Sequence, residues 1–356
     1  MKETNSKKYE ILRDKLLDFI RDNNLQPNDK LPTVRDIIND SEFSYATVNR
    51  TLLEMEKEGY ITKKQGKGLF VNRIGPVVKN RQIALIIPKD FSNHKMFLNI
   101  LSGIHPVVEQ SKIGLLVSIS NMNHEKEKET VEMLISKQID GFIIFLEDHY
   151  REDYSHIIEL KEKNFPFVLI DRFIPELDTD YVVINNKDTM FRICSFLKYN
   201  KQCDKIVYIR DTDSRDDISS SEEKLSGFFD AIKILYTGQE PSVMAPNELV
   251  NSLAGLTTKY HNLGICFNHD NLVVNFYETL EARGIEIPKN IHVFGYNNSF
   301  DAVHFPTVEQ YNNKVGEAAA EILMNKLENP SAETKHIRIE PKLILPDGHG
   351  GYFEEA

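Results

Sequence analysis

The sequence predicts two units of different fold class. The first, over residues 1–72, is a small and mainly α-helical unit that ends in a β-hairpin, and the second, over 81–346, is a two-lobed, doubly wound α/β unit. Two observations support this division. Apolar residues recur every three to four positions in the first part, and from residue 81 short apolar runs alternate with amphipathic segments. A chain of 356 residues is also long enough to bury at least two cores.

The first unit has the element order of a helix-turn-helix. Residues 9–22 carry apolar side chains at helical spacing, which predicts a helix with one buried face. A short helix over 34–39 and a turn precede another helix, whose apolar residues Val48 and Met55 would face the core. Ser44 stands just before that helix as a candidate N-cap and phosphate contact. In this arrangement the helix that follows Ser44, which is the second helix of the helix-turn-helix, enters the DNA major groove with its N-terminus first.

A short hairpin follows these helices. Strand-like runs over 60–64 and 69–71 flank Gln65-Gly66-Lys67-Gly68, whose glycines permit the positive φ of a tight turn. We interpret the hairpin as a basic wing. The whole chain has a net charge of −11, yet its first 80 residues hold 15 Lys and Arg against 12 Asp and Glu. The positive excess therefore lies in the unit with the candidate DNA surface.

Four motifs in this unit occur in a specific order: LPTVR, SYATVNRTL, LEMEKEGYI and QGKGLFV, between residues 31 and 71. They resemble the winged helix-turn-helix domain of the gluconate-repressor (GntR) family of bacterial regulators, and the resemblance covers residues 9–72. It implies that Arg35, Ser44, Thr47 and the wing tip contact DNA. The family usually has arginines where this chain has Tyr45 and Asn49, so its base contacts do not transfer to these positions. The residues expected to bind DNA are Arg35, Ser44, Tyr45, Thr47, Asn49, Arg50, Lys64, Gln65, Gly66 and Lys67.

Residues 73–80, with a Gly-Pro pair and polar ends, are predicted to be a short linker, and 347–356 a C-terminal tail. Between them we predict seven strands, over 82–88, 114–120, 140–146, 166–171, 205–210, 263–268 and 291–296. Helices are predicted between these strands, over 97–111, 126–137, 154–163, 190–197, 225–235 and 272–283. Such an alternation is typical of parallel sheets with right-handed crossovers.

Polar residues follow most of these strands, and ligands of open α/β sheets bind outside the carboxyl ends of the strands. Carboxylates, amides, arginines and aromatic rings predominate there, which is the chemistry that binds a polyhydroxylated ligand. The residues concerned are Asp90, Phe91, Asn93, Asn121, Glu147, Asp148, Asp171, Arg172, the stretch 211–215, His269, Asp270, Asn297 and Asn298.

The runs IALIIPKDFSN, KQIDGFIIF, FPFVLIDR and the stretch from Asn268 to Asn298 are similar to the effector-binding domain of the lactose-repressor/galactose-repressor family. That domain is itself similar to periplasmic sugar-binding proteins, and the resemblance, over 81–345, implies a type I periplasmic-binding-protein-like fold. It also implies ligand contacts at Asp90, Asn93, Asp148, Arg172 and Asp270. Glu222 stands where the family often has an arginine, so the ligand chemistry differs at that corner. The residues expected to bind the effector are Asp90, Phe91, Asn93, Phe97, Asp148, Arg172, Arg215, Glu222, Asp270 and Asn298.

Both resemblances together imply a homodimeric transcriptional regulator of carbohydrate-utilisation genes, whose binding to operator DNA is controlled allosterically by a small sugar or sugar derivative. Activation and repression use the same physics, so the sign of control and the particular sugar stay open. The alternatives are a sugar-binding protein and a carbohydrate-active enzyme that would use Asp148, Asp171 and Asp270. The chain contains no phosphate-loop, nucleophile-elbow or HExxH motif, and we expect no catalysis, cofactor or metal.

We expect a cytoplasmic protein that does not associate with membranes. The first ten residues lack the apolar core of a signal peptide, and no run of about eighteen apolar residues occurs. The three cysteines show no metal-ligand spacing, and an odd number suits a reducing compartment.

Overall fold

The computed structural model describes residues 2–23, 25–40, 43–72, 81–88, 95–146, 154–210, 218–300, 304–346 and 352–354. The chain forms two compact units, residues 1–80 and 81–356. The predicted linker, 73–80, lies outside the described residues, as do all but 352–354 of the predicted tail.

The first unit consists of three helices and one antiparallel hairpin. In chain order these are α1 (Lys2–Asp22), α2 (Val34–Asn39), α3 (Tyr45–Lys57), β1 (Ile61–Lys64) and β2 (Gly68–Val71). Helix α1 begins seven residues before the predicted start, and no Gly or Pro interrupts residues 2–8. Its apolar stripe packs on the buried face of α3, with Leu12, Ile20, Val48 and Met55 almost fully buried.

The second unit alternates strands and helices for most of its length. In chain order its elements are β3 (Gln82–Ile87), α4 (Lys95–Gln110), β4 (Gly114–Ile119), α5 (His124–Ser136), β5 (Gly141–Phe145), α6 (Ser155–Glu162), β6 (Phe167–Ile170), β7 (Tyr181–Ile184), α7 (Asn186–Tyr199), β8 (Lys205–Ile209), α8 (Ser219–Leu235), β9 (Val243–Met244), α9 (Pro246–Lys259), β10 (Leu263–Phe267), α10 (Asp270–Ala282), β11 (Ile291–Phe294), β12 (Thr307–Glu309), α11 (Asn312–Glu328), β13 (His336–Ile339), β14 (Lys342–Pro346) and β15 (Tyr352–Glu354).

These elements form two lobes. The first lobe is built on a parallel sheet with the order β13-β7-β6-β5-β3-β4, which is packed against α4, α5, α6 and α11. The second lobe contains the parallel sheet β11-β10-β8-β9, the antiparallel sheet β12-β14-β15 and helices α7 to α10. The chain passes between the lobes after β7, after β12 and after β13. All seven predicted strands are present, whereas β7, β9, α9 and the elements from β12 onward were not assigned from the sequence.

Candidate functional site

The start of α3 is fixed by a side-chain cap. Ser44 precedes the helix with extended backbone angles, and its Oγ accepts a hydrogen bond from the backbone N–H of Thr47 at 3.3 Å. The Ser44 and Thr47 hydroxyls are also 3.0 Å apart. Because Val48 and Met55 hold the opposite face in the core, the first turn of α3 points outward, and Tyr45 is 65% exposed.

The residues expected to bind DNA are accessible in this structure. Thr47 and Asn49 are half-buried, and the others are exposed: Arg35, Ser44, Tyr45, Arg50, Lys64, Gln65, Gly66 and Lys67. Arg35 lies in the first turn of α2, which a capping box between Thr33 and Asp36 holds in place. DNA contact by each of these residues stays a prediction.

The wing is a hairpin in which Lys64 pairs with Gly68, leaving Gln65, Gly66 and Lys67 as its tip. Gly66 has a φ of 71°, which an L side chain rarely adopts, so glycine permits the turn. The Lys64 Nζ lies 4.7 Å from the centroid of the Phe70 ring and 3.5 Å from Asn28 Oδ1. The wing therefore presents basic side chains on a defined backbone.

In the second unit a cavity of about 280 Å³ lies where the strands of both lobes end. The first lobe contributes residues at the end of β5, after β3, β4, β6 and β7, and at the start of α4. The second lobe contributes those that follow β10, β11 and β12 together with the start of α8. The lining consists of Pro88, Met96, Met122, Phe145, Asp171, Arg172, Asn186, Ile218, Ser220, Ser221, Lys224, Asn268, His269, Asn271, Asn297, Ser299 and Gln310. The cavity therefore lies outside the carboxyl ends of the strands, as the alternating pattern predicted.

Arg172 is the expected ligand residue that the structure places on the cavity wall. One of its guanidinium nitrogens, Nη1, donates to the Leu146 carbonyl at 3.0 Å, and its Nε lies 3.6 Å from Asp171 Oδ2. The guanidinium carbon is 5.3 Å from the centroid of the Phe145 ring. The Nε is buried and has no hydrogen-bond partner among the described residues. A ligand oxygen in the cavity would satisfy such a donor.

The opposite wall, on the second lobe, is organised by Lys224 and Asn268. The Lys224 ammonium donates to the Asn268 carbonyl at 3.0 Å and lies 4.1 Å from the centroid of the Tyr296 ring. The side chain of Asn268 accepts a hydrogen bond from the Tyr208 hydroxyl at 2.8 Å and donates one to Ser221 Oγ at 3.1 Å. These bonds fix the orientation of donors and acceptors on this wall.

Asp270 does not line the cavity, although it adjoins residues that do. Its carboxylate is fully buried, with Oδ2 accepting from the Ser299 N–H at 2.8 Å and Oδ1 from the Thr307 hydroxyl at 2.7 Å. Burial raises the pKa of Asp270 to about 6, although these hydrogen bonds oppose the shift. The carboxylate therefore holds in place the loop that carries Asn297 and Ser299.

Three other expected effector residues also lie away from the cavity wall. Phe97 packs into the core of the first lobe, because the apolar face of α4 is turned toward the sheet. Glu222 accepts a hydrogen bond from Arg210 at 3.0 Å, and Asn298 donates one to Glu309 at 2.6 Å. The remaining expected residues lie outside the described part of the chain: Asp90, Phe91, Asn93, Asp148 and Arg215.

Several lining residues were not among those expected from the sequence. Asp171, His269 and Asn297 are among the polar residues that follow predicted strands, but they were not among the residues expected to bind the effector. Lys224, two positions after Glu222, adds a second positive charge to that of Arg172 on the cavity wall. Asn186 and Gln310 stand where the chain crosses between lobes, and no local sequence signal marks them.

No group of His, Cys, Asp and Glu in the described parts of the chain has the arrangement of a metal site. No described helix is both long and apolar enough to cross a membrane.

Comparison with known proteins accounts for both units. Residues 8–71 match the bacterial regulatory proteins of the gntR family, and residues 198–345 match the periplasmic binding protein-like domain. The chain joins a GntR-type helix-turn-helix domain to a periplasmic-binding-protein-like domain. The arabinose metabolism transcriptional repressor of Geobacillus stearothermophilus is 24% identical over 363 residues, which cover 97% of this chain and 98% of the relative. The match spans both the GntR-type domain and the domain that contains the cavity.

Solved structures match the periplasmic-binding-protein-like domain. A regulatory protein of the LacI family from Chloroflexus aggregans has a TM-score of 0.64 and 17% identity, covering 76% of this chain and 99% of its own. A periplasmic binding protein/LacI transcriptional regulator from Alkaliphilus metalliredigens QYMF was solved with D-xylulofuranose. It has a TM-score of 0.58 and 21% identity, and the match covers 74% of this chain and 97% of that one. These similarities establish the fold of this domain.

Proposed function

We propose that this protein is a transcriptional regulator whose GntR-type domain binds operator DNA and whose second domain binds a sugar that controls this binding. One chain combines two features, and they carry the proposal. The first unit has a basic wing and helix α3, the reading helix, whose first turn is exposed, and the second unit has a polar cavity between two lobes. A ligand that favours one arrangement of the lobes shifts the population of conformations. A dimer would transmit that shift to the spacing of its two reading helices.

The cavity lining supports a carbohydrate ligand. Amides, hydroxyls and one guanidinium supply paired donors and acceptors for sugar hydroxyls, while Phe145, Met96 and Met122 provide apolar surface for a ring. A volume of about 280 Å³ is at the small end for ligand sites, so we propose a monosaccharide or a close derivative. One relative with both domains is named for arabinose metabolism, and a similar structure holds D-xylulofuranose.

Binding without catalysis is the proposed role of the cavity. Glycoside hydrolysis requires two carboxyl groups on either side of the scissile bond. Among the described lining residues, Asp171 is the single carboxylate, and Asp270 is engaged by Ser299 and Thr307. The relative from Geobacillus stearothermophilus is named as a repressor, so we propose repression as the sign of control.

A homodimer formed through the second domain is part of the proposal. Leu98 on α4 is 53% exposed, and Leu116 and Val117 on the edge strand β4 are 38% and 41% exposed. A second copy of the chain would cover this apolar surface. The operator would then consist of two half-sites read by a two-fold dimer. A regulator of chromosomal operators works in the cytoplasm, which is the compartment we propose.

Two substitutions in the full-length protein test the proposal by separating its halves. Operators would be selected from genomic fragments, and a panel of L-arabinose, D-ribose, D-xylulose and cellobiose would be screened by thermal shift, because a bound sugar raises stability by mass action. Arg172→Met should lower the affinity for the sugar at least about tenfold, since a charged hydrogen bond contributes about 1.5–3 kcal/mol. It should leave operator affinity unchanged in the absence of sugar.

Arg35→Met is the matched substitution in the other domain, and it should weaken operator binding while sugar binding stays normal. The proposal would be refuted by an absence of sequence-selective DNA binding, or by Arg172→Met binding sugar as tightly as the parent. If a sugar binds without changing operator affinity, the sugar-binding half survives and the control of DNA binding does not.

A further inference from the structure

A partly exposed ion pair joins the two lobes beside the cavity. Arg338 lies on β13 in the first lobe and Glu223 on α8 in the second, and Arg338 Nη1 is 2.7 Å from Glu223 Oε1. The glutamate side chain is only 18% exposed and that of the arginine 35%. Neither residue lines the cavity. The pair is therefore placed to hold the lobes together without contacting a ligand.

Each member of the pair is connected to a charged residue of the cavity wall. Glu223 directly precedes Lys224, and Arg338 lies 5.3 Å from the centroid of the ring of Phe173, which directly follows Arg172. The backbone N–H of Phe173 also donates across the lobe boundary to Ser219 Oγ at 3.3 Å. Opening of the lobes would break the Arg338–Glu223 ion pair and the Phe173–Ser219 hydrogen bond, and it would separate the two charged walls of the cavity.

The charges around Glu223 show why Arg338 is needed there. Burial raises the pKa of Glu223, and the carboxylate of Asp171 adds to this rise, whereas Arg338 and a hydrogen bond with Asn186 lower it. Asp171 belongs to the first lobe and Glu223 to the second, so the two like charges repel each other across the boundary. Without the Arg338 guanidinium, the mostly buried Glu223 carboxylate would lose its direct cationic partner and would still face Asp171.

We propose that Arg338 and Glu223 form an electrostatic latch between the lobes, which sets how readily the effector cavity opens. In this proposal both are positioning residues, and the present arrangement of the lobes is favoured because Arg338 pairs with Glu223 and offsets its repulsion with Asp171. The role of the cavity rests on the proposed function, but the latch itself can be tested without any sugar.

Amide hydrogen exchange of the full-length protein without ligand tests the latch. In Arg338→Gln, the segments 167–181 and 218–228 should exchange about tenfold faster, because they meet at the lobe boundary. Segments 124–136 and 246–259, each within one lobe, should exchange as in the parent. A matched control is Arg283→Gln, which removes a 3.0 Å hydrogen bond between Arg283 and Asn251 inside the second lobe and should leave 167–181 unchanged.

Two further variants separate charge from packing. Arg338→Lys retains the cation and should exchange as the parent does. The double variant Glu223→Gln/Arg338→Gln removes the repulsion together with the cation, so it should exchange more slowly at the boundary than Arg338→Gln alone.

The latch is refuted if Arg338→Gln exchanges as the parent does, if its acceleration spreads evenly over 81–356, or if the double variant is as fast as the single one. Should Arg338→Gln fail to fold, the double variant is compared with Arg338→Lys: the double variant lacks the ion pair and should exchange faster at the boundary, and equal rates would refute the latch. A protein that bound no sugar would leave these results unaffected, so failure of the proposed function is distinguishable from failure of the latch.

Discussion

Replacing Asp270 by asparagine tests how the loop beside the cavity is held. Asparagine has nearly the same size, so the packing of this fully buried side chain is preserved. Its oxygen can accept from the Ser299 N–H, and its amide can donate to the Thr307 hydroxyl, where the carboxylate now accepts two hydrogen bonds. The main change is the loss of a titrating group.

The size of the effect follows from the pKa of Asp270, which burial raises from 3.8 to about 6. Between these values the folded state holds the proton that the unfolded state has released. Stability contributed by this group is therefore fully present below pH 3.8 and is lost as the pH rises through 6. The complete loss corresponds to about 3 kcal/mol, and the part between pH 4.5 and 7 to about 2 kcal/mol.

Asp270→Asn lacks this loss, so its free energy of unfolding relative to the parent should improve by about 2 kcal/mol from pH 4.5 to 7. Urea unfolding followed by far-ultraviolet circular dichroism at several pH values measures the difference. Asp204→Asn is the control, because backbone hydrogen bonds from His261 and Asn262 outweigh burial and lower the pKa of Asp204. Because the pKa of Asp204 is lowered from 3.8, this group titrates below the range tested. The difference in free energy of unfolding between Asp204→Asn and the parent should therefore stay constant from pH 4.5 to 7. A constant difference for Asp270→Asn would refute the buried, proton-holding carboxylate.

Two further predictions concern the first lobe. Val117→Glu should convert the proposed homodimer into monomers in light scattering, whereas Ile158→Glu, at a similarly exposed apolar residue on α6, should remain dimeric; a dimeric Val117→Glu would remove β4 from the interface. Gly103→Ala should lower the free energy of unfolding by several kcal/mol, because the added Cβ would lie 1.8 Å from the Asn313 carbonyl oxygen where α4 packs on α11. Thermal or urea unfolding measures this loss, and near-parent stability would contradict such a close approach of the helices.

The local pattern of the sequence determined much of the architecture. Helical spacing of apolar residues predicted α3 and most of α1, and Ser44 was recognised as the cap of α3, because capping and periodicity depend on residues only a few positions apart. All seven predicted strands exist for the same reason. Strands β7 and β13 were missed, although β6 and β11, which are also four residues long, were predicted.

The position of the cavity also followed from the sequence, whereas the direction of individual side chains did not. The rule that ligands bind outside the carboxyl ends of parallel strands placed Asp171, Arg172 and His269 at one site. Glu222 and Lys224 are two residues apart on α8, yet only Lys224 lines the cavity, while Glu222 turns to Arg210. The rotation of a helix against its neighbours decides such a choice, and adjacent residues alone do not specify it.

Partners that are distant in the chain were decided only by the tertiary structure. Asp270 was expected to contact a ligand, but packing of α10 against the loop after β11 buries its carboxylate on Ser299 and Thr307. Arg338 and Glu223 meet because the chain crosses between the lobes, and the sequence near either residue carries no sign of the other. Local periodicity therefore determined which elements form and where the polar ends of the strands gather. The packing of the lobes determined which of those polar groups face the cavity and which hold it in place, because burial and pairing depend on the whole fold.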